Sequence, residues 1–121
     1  MSNVVQVDPL ELTRRASACP LQELDDLLSQ AEQRLRSQPS NAVDPLMALG
    51  IGYWRSKQYE RSLAALDRMQ LSDQLSSDCL LLRGMVLRKL PGREQDSLEA
   101  FQKGVAADPR RGDGYYNLGN L

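Results

Sequence analysis

Few side chains in this sequence are placed to do chemistry. Asp25–Asp26 is its one adjacent pair of carboxylates, and its two cysteines, Cys19 and Cys79, stand sixty residues apart. Paired carboxylates can share general acid and base work. This pair falls in a stretch whose leucines recur at helical spacing, where acids are needed for the outer face. The cysteines form no CxxC pair and no metal-ligand spacing. Each is flanked by helix-like sequence and reads as a small buried apolar side chain rather than a disulfide partner. Histidine is absent, which removes the commonest general base and the commonest metal ligand together. The chain contains no GxGxxG, GxxxxGK[ST] or GxSxG motif. The expectation is a protein that is not an enzyme, with no catalytic residue, no metal and no cofactor.

Composition narrows the class further. A chain of 121 residues is one domain at most, or part of one. Its formal net charge of −1 gives no case for nucleic acid or a membrane surface as partner. Charge is uneven along the chain: residues 1–48 carry seven acidic and four basic side chains, residues 83–111 seven basic and four acidic. A solvated face accounts for so mild a tilt. No charged-then-apolar leader opens the sequence, and no apolar run approaches the roughly 20 residues of a spanning helix. A soluble, cytoplasmic protein is expected.

The elements that must position any site are helical. Asp8–Pro9 and Asp44–Pro45 each place an acid before a proline, as at a helix start. Pro20 opens another helix in the same way. Leu21, Leu24, Leu27, Leu28, Ala31 and Leu35 recur at helical spacing, and Pro39 with Ser40 and Asn41 ends that run. No segment alternates like a strand over more than a few residues.

An internal repeat organises the rest. "LMALGIGY" from Leu46, "LLLRGMVL" from Leu80 and "YYNLGNL" from Tyr115 align on Gly50, Gly84 and Gly119, at intervals of 34 and 35 residues. Each of the first two is followed by a second apolar helix, "YERSLAALDRMQL" from Tyr59 and "SLEAFQKGVAADP" from Ser97. A glycine inside an exposed helix costs about 1 kcal/mol relative to alanine, so three in one phase need a packing reason. Close approach of the paired helix supplies it. Ser62 and Ser97 should face the glycines, with Leu66 and Phe101 filling the layer beside them.

This pattern resembles the tetratricopeptide repeat family. The first full unit has Leu46, Leu49–Gly50, Tyr53, Ser62 and Leu66; the second has Leu80, Gly84, Leu87, Ser97, Phe101 and Pro109; a third begins with Tyr115 and Leu118–Gly119. Arg83 stands where the family has leucine, no proline closes the first unit, and "LPGRE" lengthens the second unit's turn by one residue. The resemblance covers about residues 43–121. It implies an all-α fold of helix-turn-helix units stacked as an α-solenoid, a right-handed superhelix of about six to seven helices. The expected divisions are 1–42 as N-terminal capping helices or a degenerate repeat, 43–76 and 77–111 as full units, and 112–121 as the first helix of a further one. Because a unit cannot bury its apolar face alone, the short last run suggests a fragment or the N-terminal end of a longer stack.

In this family the first helix of each unit lines a concave groove. Carried over by position, the groove residues are Met47, Ile51, Trp54 and Arg55, then Leu81, Met85, Arg88 and Lys89, then Tyr116 and Asn120. They describe an apolar floor with a basic edge, suited to a peptide or protein partner with apolar anchors and acidic character. The aliphatic members could equally pack on one another or on the N-terminal segment. Relatives that clamp the C-terminal carboxylates of heat-shock chaperones use lysine and asparagine here. Met47, Ile51, Leu81 and Met85 speak against that clamp, and only Asn120 would fit it. The expected function is a non-catalytic protein-interaction scaffold. The alternative is an N-terminal recognition arm of a larger enzyme, for example a glycosyltransferase, with its catalytic domain beyond residue 121. A weaker expectation is self-association through the last helix, which should fade when Tyr115 and Leu118 are made polar.

Overall fold

A computed structural model of the chain describes residues 9–69 and 76–110. These form α1 (Glu11–Ala18), α2 (Leu24–Ser37), α3 (Val43–Arg55), α4 (Tyr59–Asp67), α5 (Ser76–Arg88) and α6 (Glu94–Ala107), with short 3-10 turns at Leu21–Glu23 and Pro39–Asn41. No strand occurs among the described residues. Asp8, Tyr115, Tyr116, Leu118, Gly119 and Asn120 lie outside them.

The leucine spacing of α2 is realised as a buried stripe of Leu24, Leu27, Leu28, Ala31 and Leu35. Asp25 and Asp26 lie in its first turn and Arg34 and Arg36 in its last, each sign at the helix end whose dipole favours it. The exposed acid pair thus complements a helix terminus.

Helix α3 is different. Every residue from Asp44 to Gly52 is buried, the condition of a helix surrounded by others. It contacts α1, α2, α4 and, less extensively, α5, while α5 pairs with α6 and α4 touches α5. Sequence places Asp44 as the N-cap of this helix, and the structure corrects that. The helix begins at Val43, Ala42 takes the cap position, and Asp44 lies one residue inside. Pro45 still falls in the first turn, where its missing N–H goes unnoticed.

The two helical hairpins share one crossing device. The Ser62 hydroxyl donates to the Gly50 carbonyl oxygen at 2.6 Å, and the Ser97 hydroxyl donates to that of Gly84 at 2.7 Å. A Cβ at Gly50 would stand 2.8 Å from Leu66 Cδ2, and one at Gly84 would stand 2.9 Å from two atoms of the Phe101 ring. The glycines admit the partner helix, and the serines answer helical carbonyls inside the core. The first hairpin turns at Lys57, φ 63°, with the Gln58 N–H donating to the Tyr53 carbonyl at 2.7 Å. The second turns at Gly92, φ 76°.

The glycines should respond unequally to substitution. Leu66 can yield at its flexible end, whereas the Phe101 ring cannot shrink. Gly84→Ala is expected to lower stability by about 1–3 kcal/mol despite its better helix propensity. Gly50→Ala should cost less. Urea unfolding of both variants, read from the transition midpoint, checks the order.

Candidate functional site

The expected groove can be followed residue by residue. Met47 is 2% exposed, Ile51 9%, Leu81 0% and Met85 2%. None of these four presents an open apolar floor. Leu81 lies against α6, its Cδ2 2.7 Å from where a Cβ on Gly104 would sit. Trp54 is half-buried against the core. Its indole Nε1 is buried with no hydrogen-bond partner. Arg88 and Lys89 are exposed at the end of α5. Tyr116 and Asn120 fall outside the described residues.

Arg55 is occupied as well. Its Nη1 donates to the Ala16 carbonyl oxygen at 2.7 Å, at the C-terminal end of α1, and lies 3.6 Å from Cys19 Sγ. The other end of α1 is met by Asp44. Its carboxylate accepts the Leu12 N–H at 3.1 Å, the Thr13 N–H at 2.8 Å and the Thr13 hydroxyl at 2.7 Å. Leu10, in the N-cap position of α1, makes no side-chain cap of its own. The first N–H groups of a helix have no partner within it, and here a residue from another helix supplies one.

Asp44, Ala48, Ile51 and Arg55 succeed one another at spacings of four, three and four, a single stripe along α3. Both ends of that stripe touch α1. Its burial therefore has a physical cause: it faces α1, whose Leu12 and Ala16 are 1% and 0% exposed. Asp44 sits where the helix dipole is positive and Arg55 where it is negative. The two helices therefore run in the same direction.

Sequence reasoning assigned Asp44 to its own helix and Arg55 to a partner. Sequence put Asp8–Pro9 at the start of this helix, but α1 begins at Glu11 behind Leu10, which has no capping side chain, so its first turn needs an outside acceptor.

Two shallow hollows lie beside this core. One, of roughly 420 Å³, is lined by Arg15, Cys19, Glu23 and Asp26 among others. Another, of roughly 500 Å³, includes Glu32, Arg36, Tyr53 and Arg61. In the latter the Tyr53 hydroxyl donates to Glu32 Oε1 at 3.1 Å, and the Arg61 guanidinium lies 6.0 Å from the Tyr53 ring centre. Burial, and then the Glu32 carboxylate, raise the Tyr53 pKa. Both hollows mix charges of each sign without a nucleophile–base pair. No group of three His, Cys, Asp or Glu side chains able to hold a metal occurs among the described residues. No described helix is long and apolar enough to cross a membrane.

The cysteines differ in environment. Cys79 is 3% exposed, and burial, with a smaller push from Asp78, raises its thiol pKa to about 11. Cys19 is partly exposed.

These contacts and environments generate three expected outcomes. Asp44→Ala leaves the donors of Leu12 and Thr13 unanswered and should cost about 2 kcal/mol in urea unfolding, with faster amide hydrogen exchange concentrated in α1. In native protein near pH 8, a thiol reagent should label Cys19 and reach Cys79 only on unfolding. Because the folded pKa of Cys79 lies above its ordinary value of 9.0, its thiol favours the folded state below pH 9, and that contribution is lost as pH rises through about 11.

No family model matches this sequence, and neither a curated protein nor a solved structure matches it.

Proposed function

We propose that the chain is a non-catalytic interaction module of the tetratricopeptide-repeat type, binding a protein or peptide partner in the cytoplasm. In this reading the helical pairs stack as that family's right-handed α-solenoid. One observation carries it. The serine-to-glycine-carbonyl crossing recurs in both hairpins, on glycines 34 residues apart, with an apolar side chain filling the same place beside each. An ordinary bundle of six helices has no reason to repeat such a device at a fixed interval, whereas a stack of equivalent units does.

Burial of Met47, Ile51, Leu81 and Met85 moves the accessible part of the expected groove toward its basic edge. Arg88 and Lys89 are its exposed cations, and Trp54 is its partly exposed aromatic. A segment with acidic residues beside an apolar anchor is the partner these side chains suit.

A displayed-peptide screen against the intact chain tests the proposal. The expected binders are enriched in acidic and bulky apolar residues and weaken with added salt. The charge reversals Arg88→Glu and Lys89→Glu together should weaken them about tenfold or more. No enrichment, or binders indifferent to both reversals, would overturn it.

A further inference from the structure

We propose that the hollow between the turns of the two hairpins receives the apolar anchor of an acidic peptide, with Lys57 and Arg61 taking the acids beside that anchor. This deepens the interaction-module reading and rests on it.

The hollow measures roughly 380 Å³ and is lined by Lys57, Gln58, Tyr59, Glu60, Arg61 and Leu90. The first five belong to the turn after α3 and the start of α4, and Leu90 lies just past α5. Tyr59 and Leu90 are partly buried and packed against the core, so the apolar floor is fixed before anything binds. Lys57, Glu60 and Arg61 are exposed and form the rim. Arg61 is steadied by Gln58, whose Oε1 accepts from its Nη1 at 3.1 Å. Arg88 and Lys89, both exposed, precede Leu90 in sequence. Among all these side chains Glu60 is the one acid, so the surroundings favour an anionic visitor.

Lys57 adds a reason of its own. Its φ of 63° lies in the left-handed region, where a side chain is costly and glycine is not. The second hairpin turns through a glycine, Gly92, at φ 76°. The first keeps a long cation instead, and among the described residues no carboxylate pairs with it. Strain kept for the sake of an unpaired, exposed side chain argues for a task outside the fold. The floor calls for an apolar group and the rim for carboxylates beside it. A phosphate polymer answers the charge but brings no aliphatic or phenyl group for the floor. The ligand class is therefore a peptide segment with one bulky apolar residue flanked by Asp or Glu.

The test uses the intact chain and a synthetic amidated peptide, a single phenylalanine with a pair of aspartates on each side. It is titrated into isotope-labelled protein while the amide resonances of residues 57–61 and 90 are tracked. Those amides should shift saturably, and less with added salt. Replacing the phenylalanine by alanine should weaken binding about tenfold or more. Lys57→Gly should weaken it about threefold to fivefold, the worth of one exposed charge pair. Its urea midpoint should hold or rise, because glycine takes the turn without strain. Lys57→Arg should keep the wild-type affinity. Unchanged affinity in Lys57→Gly would overturn the inference, and so would a lowered midpoint, since the lysine would then serve the fold. Competition for the same amides by a short thymidine oligonucleotide would overturn it too, in favour of a nucleic-acid surface. Binders from the peptide screen that respond to the Arg88 and Lys89 reversals but not to Lys57→Gly would remove this hollow and leave the interaction-module reading standing.

Discussion

A helix buried on every side has to find an answer inside the protein for each polar group it carries and room for each neighbour that touches it. Helix α3 lives under that constraint from Asp44 to Gly52. Its two interior glycines are a result of it. Gly50 admits Leu66 and Leu82, while Gly52 admits Leu28 and Leu24 of α2, so the backbone is approached closely from separate directions. Its one buried acid has the same origin. A carboxylate can remain there because three donors of α1 converge on it, which offsets the loss of its water. Leucine at that site would leave those donors without partners.

The parts legible in the sequence were those where one physical problem recurs. Gly50 and Gly84 stand at equal phase in apolar surroundings, and the partner serines Ser62 and Ser97 lie at almost equal distance downstream. Repetition turned two weak local signals into a strong one, and Leu66 and Phe101 occupy the places that spacing assigned them. The all-helical class was legible for a simpler reason: apolar residues recur at helical period along the chain, even though α1 begins at Glu11 rather than at Pro9 and α2 at Leu24 rather than next to Pro20.

The illegible parts are non-local. Asp44 before Pro45 looks like a local cap, and nothing within ten residues of it reveals that its acceptors serve a helix thirty-two positions earlier. The periodicity of α3 shows which residues share a face, but not whether another helix already covers that face. Ile51 and Arg55 were therefore placed in a groove when they belong to a contact. Arg83, standing where leucine was expected, pairs with Asp67 of α4 at the rim of the second hairpin. Its position is only partly covered, so a long side chain with a charged tip can lie there.

The turns hold a last consequence. Twelve residues separate the crossing serine and glycine of the first hairpin and thirteen those of the second, yet both crossings form. The surplus residue is taken up at the exposed Pro91–Gly92 bend, where a Cβ on Gly92 would meet nothing within 4 Å. That bend acts as a slack joint. One residue more in that turn than in the first leaves the serine-to-glycine crossing of its hairpin formed.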